Sequence, residues 1–196
     1  MAQRYPALHI APLVADYSVS FDGPAPIPGA RRVVFFPGSS VGNFEPDEAV
    51  AFLDRCRSLA GPGGVVLVGV DVPKPRAVLE RAYDDRAGAT RAFNLNLLAR
   101  MVRELDAELH ADDFAHRAVW QEGPSRVQMQ LVAQRATRIT VGGATFSLEA
   151  GEHIVTEHCY KHDEARFAML ARDARLRPVR IWRDPDARMT MHWLEA

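Results

Sequence analysis

Phe35-Phe36-Pro37-Gly38-Ser39-Ser40-Val41-Gly42-Asn43-Phe44 decides how this chain is read. The residues before it, Arg32 to Phe36, form a short apolar run that reads as a buried strand. Those after it, Glu45-Pro46-Asp47-Glu48, read as a helix start with acids in the first turn. A strand ending in a small-residue loop with one amide puts that loop where open α/β sheets bind ligands, beyond the carboxyl ends of the strands. Gly38 and Gly42 allow close approach to the backbone, and Asn43 offers both a donor and an acceptor. A βα loop that needs glycine only for its turn would look the same.

Outward from the loop the pattern is βαβ. Ala49, Phe52, Leu53, Cys56, Leu59 and Ala60 recur at helical spacing, so 47–60 is an amphipathic helix stopped by Gly61-Pro62-Gly63-Gly64. Val65-Val66-Leu67-Val68-Gly69-Val70 is a continuous apolar run, expected of a strand buried on both faces. Strand, helix and strand within this span imply a parallel pair. Upstream, Leu8 to Ala15 is apolar and strand-like, and residues 22–30 form a Pro/Gly-rich loop. After Asp71 the character changes. Pro73 and Pro75 break the chain, and helical faces follow at Val78, Leu79, Ala82, Tyr83 and at Leu97, Leu98, Met101, Val102, Leu105. From His116 the period becomes two. Val127, Met129 and Leu131 mark a half-buried strand, Ile139 to Leu148 a hairpin turning at Gly142-Gly143, and His153 to Tyr160 a further strand. Residues 74–161 therefore read as an insertion. A helix bearing Phe167, Leu170, Ala171 and Ala174 and two closely joined, hence antiparallel, strands end the chain.

The chain has 196 residues and a formal net charge of -1, which gives no electrostatic case for nucleic acid or a membrane surface. No apolar run is long enough to span a bilayer, and Met1 to Pro6 holds no signal-peptide core. Two cysteines, Cys56 and Cys159, fit a reducing cytoplasm better than a disulfide framework. His153 and His158-Cys159-Tyr160-Lys161-His162 are rich in metal-ligating types. Yet His158 and Cys159 fall on opposite faces of a strand, and paired ligand dyads are absent, so no metal is expected. Asp84-Asp85 and Asp112-Asp113 read as solvated turns or caps, and Cys159 as a buried thiol. No nucleophile elbow, phosphate loop or dinucleotide fingerprint is present.

Five segments occur in order: Phe35 to Phe44; Gly61-Pro62-Gly63-Gly64 with Gly69-Val70-Asp71; Ala82-Tyr83-Asp84-Asp85; Ala92-Phe93-Asn94-Leu95-Asn96-Leu97-Leu98; and Thr156-Glu157-His158-Cys159-Tyr160-Lys161. Together they resemble the histidine-specific S-adenosylmethionine-dependent methyltransferases of ergothioneine biosynthesis, over nearly the whole chain. The resemblance implies trimethylation of the histidine α-amino group to hercynine. It also implies an α/β fold: an incomplete Rossmann-like class I methyltransferase sheet from 1–73 and 162–196, with an inserted α+β substrate-binding domain at 74–161. By the same resemblance Asn43 and Tyr83 hold the amino acid's backbone groups, Glu157 faces the imidazole, and Met129 lines the pocket. Asp16 and Tyr17 meet the cofactor's adenine, and Gly38 and Ser39 belong to the cofactor side. S-adenosylmethionine is the implied cofactor, histidine the implied partner, and positioning groups are the only catalytic groups expected.

The chain departs from that pattern twice. Where the family usually has Thr-Glu-Asn-Ser-Tyr-Lys, this chain has His158 and Cys159. A thiol is a weaker donor than the serine that hydrogen-bonds the imidazole, so a methyltransferase for another amino acid is the alternative. Family members also carry well over a hundred residues before the position of Tyr5-Pro6, including the glycine-rich cofactor loop. The expectation is a C-terminal part, a fragment or natural truncation, with weak cofactor affinity on its own; a further alternative is a non-catalytic remnant, or a half that pairs with a separately encoded N-terminal half.

Overall fold

A computed structural model describes residues 4–19, 23–25 and 27–196. The expected N-terminal loop at 22–30 lies partly outside the described residues, at Asp22 and Pro26, and so does the start of the Met1–Pro6 segment.

The first sheet has the order β1-β2-β9-β8. Its strands are β1 (Val33–Phe36), β2 (Val65–Asp71), β8 (Arg177–Arg183) and β9 (Met189–Glu195). β1 and β2 are parallel, with Val33 opposite Val65, and helix α1 (Pro46–Ala60) makes the crossover between them. α1 starts at a reciprocal cap in which the Glu45 amide donates to the Glu48 carboxylate at 2.9 Å. It stops at Gly61, whose φ of 73° suits glycine. β9 runs antiparallel to both β2 and β8, as the short connection between the last two strands requires. Helix α4 (Glu164–Asp173) starts at Asp163, whose carboxylate accepts from the Arg166 amide at 2.8 Å. α1 and α4 pack together and share one core with the sheet, built from Phe52, Leu53, Val66, Val68, Phe167 and Leu194.

Residues 76–160 build a second sheet, ordered β3-β4-β7, from β3 (Phe114–Gln121), β4 (Arg126–Ala133) and β7 (His153–Tyr160). All its pairings are antiparallel, with Met129 opposite Glu157 and a register shift just after Met129. Helices α2 (Arg76–Tyr83) and α3 (Ala89–Leu105) pack on β3 and β4. β5 (Thr137–Val141) and β6 (Ala144–Leu148) form the expected hairpin. Gly142 and Gly143 both take positive φ there, as a tight two-residue turn demands.

Three expectations need correction. β1 is a strand but not a buried one: it is the edge of its sheet, pairs only with β2, and leaves Val33 and Phe35 exposed. Leu8 to Ala15 forms no strand: it is exposed throughout and pairs with no sheet. Its apolar side chains find no partner edge, and a strand exists only by pairing. Asp113 is not solvated but buried, accepting from Thr137 Oγ1 at 2.6 Å and from the Arg135 Nε at 2.5 Å. It anchors the start of β5 to the turn before β3. No helix among the described residues is long and apolar enough to cross a membrane.

Candidate functional site

The loop after β1 closes into a 3-10 turn, Ser40–Asn43, that lies against β7. Two glycines permit the packing. A Cβ at Gly42 would collide with the Tyr160 carbonyl, and one at Gly69 with the Pro37 carbonyl. The turn thus presents Asn43 to the end of β7 that carries Glu157 and Cys159, with Lys161 just beyond it. Burial pushes the Glu157 carboxyl above its ordinary pKa, while the Lys161 charge and the nearby Asn43 amide oppose the rise. Met129 is buried directly across the β4/β7 ladder from Glu157.

Tyr83, at the last turn of α2, reaches the same place from the other side. Its hydroxyl donates to Cys159 Sγ at 2.8 Å. Lys161 Nζ donates to the Tyr83 oxygen at 2.7 Å and to Cys159 Sγ at 3.2 Å. It pairs with Asp71 Oδ2 at 2.7 Å. Burial raises the Tyr83 pKa, and the neighbouring thiol adds to it, so the group is a neutral phenol. For Lys161 burial acts against the charge, but Cys159, Tyr83 and Asp71 outweigh it and hold the ammonium. The structure therefore brings together Asn43, Tyr83, Met129, Glu157 and Cys159, all five residues expected on the substrate side.

The four residues expected on the cofactor side are dispersed along β1. Gly38 and Ser39 lie in the loop at its carboxyl end, where Ser39 C=O accepts from the Gly42 amide at 2.9 Å. Asp16 and Tyr17 precede the strand. The Tyr17 ring meets Phe36 edge-on at 5.7 Å and Phe52 at 6.2 Å. Both Ser18 bonds to Asp16, from its amide at 2.8 Å and its hydroxyl at 2.6 Å, fall on Oδ1. These bonds lower the Asp16 pKa, and Oδ2 has no hydrogen-bond partner among the described residues. An acceptor beside an aromatic ring fits an adenine. A cavity of about 520 Å³ borders this cluster, lined by Tyr17, Phe36, Phe52, Arg55, Cys56 and Leu59. None of the substrate-side residues lines it.

Sequence reading missed four contributors. Asp71 and Lys161 lie inside quoted motifs but had no role assigned. Glu45 reads from the sequence only as part of a helix start, and Arg126 carries no signal there. Glu45 takes the Tyr160 hydroxyl at 2.5 Å and the His158 Nδ1 at 2.5 Å, and Arg126 Nη1 donates to the Tyr160 oxygen at 2.8 Å. His158 is thus a structural link from β7 to the α1 cap. One signal was available: Lys74 and Lys161 are the chain's two lysines among 24 basic residues, the rest being arginines, and both meet Asp71.

A βαβ unit whose first loop sets an amide near a half-buried carboxylate and a phenol, at the carboxyl ends of the strands, is the ligand-binding end of an open α/β sheet. The family described as "Histidine-specific methyltransferase, SAM-dependent" matches residues 1–196. The chain belongs to that family. It is 38% identical over 185 residues to "Histidine N-alpha-methyltransferase" of Mycolicibacterium smegmatis, covering 93% of this chain and 57% of that protein. It is 40% identical over 159 residues to the protein of the same name from Mycobacterium tuberculosis, covering 80% of this chain and 49% of that one. The chain thus spans about half the length of these relatives. Among solved structures, an S-adenosylmethionine-dependent methyltransferase from Clostridium acetobutylicum superposes with TM-score 0.46 at 10% identity, covering 98% of this chain and 67% of that one.

Proposed function

We propose that this chain forms the amino-acid side of a pocket for methylation of the α-amino group of L-histidine, yielding hercynine for ergothioneine biosynthesis. The observation that carries the reading is the convergence of Asn43 and Glu157 with Tyr83 and Cys159 around one end of β7. Segments 74–161 would act as the substrate-binding insertion, and 1–73 with 162–196 as the methyltransferase core.

Bound S-adenosylmethionine supplies an activated methyl group. Asp16 Oδ2 and the Tyr17 ring would meet its adenine, with the backbone of Gly38 and Ser39 along its side. The residues of the chain have the remaining tasks. Asn43 and the Tyr83 hydroxyl orient the amino acid's carboxylate and amine. Glu157 and Cys159 take the two imidazole nitrogens, and Met129 closes the pocket floor. No residue needs to form a covalent intermediate. The deprotonated amine's lone pair would form the new N–C bond as the methyl carbon's bond to sulfur breaks, the bonding pair staying on the sulfur and the amine's proton passing to solvent before each transfer. Orientation would supply most of the rate, an effect that reaches about 7–11 kcal/mol in well-aligned systems. Both cysteines are free, which supports a reducing, cytoplasmic setting.

Calorimetry of the full chain with L-histidine, L-tryptophan and L-tyrosine, with and without S-adenosylmethionine, tests this. Saturable binding of histidine alone is expected, weakened about tenfold or more by Glu157→Gln. A preference for another amino acid would instead favour the second reading. That reading rests on Cys159, whose sulfur already accepts from Tyr83 and Lys161.

A further inference from the structure

The geometry points to Lys161 as a positioning residue that sets the direction of the Tyr83 hydroxyl and yields its proton to a ligand carboxylate. The inference rests on the reading of the pocket as an amino-acid site and adds a residue to it.

Lys161 has no solvent exposure, which is rare for lysine without a partner. Its ammonium carries three protons, and each has a taker: Asp71 Oδ2 at 2.7 Å, Tyr83 Oη at 2.7 Å and Cys159 Sγ at 3.2 Å. With all three spent, Lys161 offers no proton of its own to a ligand and acts through Tyr83. The phenol oxygen must accept from Lys161, so the phenol hydrogen is free to point only elsewhere. It points to Cys159 Sγ at 2.8 Å. Sulfur is a weak acceptor, whereas a carboxylate takes charge-assisted bonds roughly twice as strong. A ligand carboxylate therefore captures the Tyr83 hydrogen from the thiol at small cost, and the ammonium 2.7 Å behind the phenol polarises it toward that anion.

The placement in the fold supports this role. Asp71 ends β2, where the chain leaves the first sheet, and Lys161 follows β7, where it returns. The His162 amide donates to the Asp71 carbonyl at 3.0 Å, so the two crossings are tied side by side. The ion pair at this neck fixes the second sheet's Tyr83 relative to the first sheet's loop. The use of lysine also has a reason. Its compact ammonium directs three donors tetrahedrally from one atom, whereas a guanidinium spreads its donors in a single plane. In a chain that otherwise uses arginine, both lysines sit on Asp71.

Two measurements decide it. In the full chain labelled with [15N]lysine, Lys74→Met leaves a single ammonium, that of Lys161. A protected Lys161 signal at neutral pH that moves on Tyr83→Phe is expected. No protected signal, or one that Tyr83→Phe leaves in place, overturns the inference. This result needs no ligand and does not need Lys161 variants to fold. The second measurement compares histidine with histamine, which lacks the carboxylate, by calorimetry. Lys161→Met is expected to weaken histidine about tenfold or more while histamine changes less than about twofold. Adding Tyr83→Phe should cost nothing further, because the two residues act as one unit. Parallel losses for both ligands, or additive losses, overturn the inference and leave Lys161 merely structural. If the unsubstituted chain binds neither ligand, the functional reading falls, and the ammonium signal alone decides whether Lys161 directs Tyr83.

Discussion

The two sheets bury polar groups in opposite ways. In the second sheet they form a directed chain from a cation to an anion. Arg117 Nε donates to Gln130 Oε1 at 2.7 Å, Gln130 Nε2 to Gln128 Oε1 at 2.5 Å, and Gln128 Nε2 to His158 Nε2 at 2.9 Å. His158 Nδ1 then donates to Glu45 at 2.5 Å. Arg117 can only donate, so the orientations of both glutamines follow from that end, while His158 Nδ1 lies within reach of both the Glu45 carboxylate and Arg126 Nη1, the latter at 2.9 Å. In the first sheet's core, His162 and His192 flank Phe167, at 6.0 and 4.5 Å between ring centroids. Neither nitrogen of His162 has a partner among the described residues, and His192 has one bond, with Thr190 Oγ1 at 2.8 Å. There the imidazoles behave as aromatic filler. The first core relies on packing, while the second relies on a completed network as well.

If packing holds the first core, the largest loss comes from removing its centre. Phe167→Ala should cost about 3–5 kcal/mol, as large-to-small changes at buried aromatic sites do, because Phe167 has no exposure and both imidazoles lean on it. Urea unfolding followed by circular dichroism measures this. A loss below about 1 kcal/mol would mean that the site collapses and that packing is not what holds it.

Acid separates the two cores next. Burial lowers the pKa of His162 and of His192 to about 4 each. The unfolded chain takes up these protons near pH 6.5 and the folded chain only near pH 4, so stability is full above about 6.5 and falls between those values. Each group contributes up to about 3 kcal/mol of that loss. His162→Phe should therefore leave stability at pH 7 unchanged or raised, since no hydrogen bond is lost, and should flatten the decline toward pH 4. A variant that declines as steeply as the parent would locate the acid sensitivity elsewhere.

The contrast also explains what could be read from the sequence. The apolar run of β2, the amphipathic face of α1 and the Gly142-Gly143 turn are local signals, and each appears where its pattern places it. Leu8 to Ala15 carries an equally apolar pattern without becoming a strand, because nothing local supplies an edge to pair with. Of the candidate site, the residue types were legible only as a resemblance. Tyr83 and Cys159 stand 76 positions apart in sequence and meet through a pairing register that periodicity does not determine. Lys161 was illegible for a physical reason: lysine reads as solvent-facing until a buried carboxylate is known to face it. Asp113 is illegible for the same reason, its partners Thr137 and Arg135 lying 24 and 22 positions further on, beyond β3 and β4.

Interrupting the second sheet's chain at its middle is a smaller perturbation than emptying the first core. Gln128→Leu keeps the volume but leaves the Gln130 amide and His158 Nε2 without partners. A loss of about 1–3 kcal/mol is expected from stranded buried groups. Gln130→Leu and Gln128→Leu combined should cost less than the sum of the single changes, because once one link is gone the other has less to lose. Strict additivity in urea midpoints would show that the glutamines act singly.

The smallest effect lies at the end of the chain. Glu45 accepts from Tyr160 and His158, and those bonds hold its carboxyl below the usual range. Its side chain is 46% exposed, so water screens most of the charge. Glu45→Gln preserves the shape but replaces one acceptor oxygen with a donor, which then faces either the Tyr160 hydroxyl or the His158 Nδ1–H. The expected loss is about 1 kcal/mol or less. Because the Glu45 pKa is lowered by folding, its contribution is present above the unfolded value of about 4.3 and disappears as pH falls through the folded one. Parent and Glu45→Gln should therefore differ at pH 7 and converge at low pH. A difference that persists undiminished in acid would show that the cap geometry of α1, rather than the carboxylate's role as terminus of the network, is what the substitution disturbs.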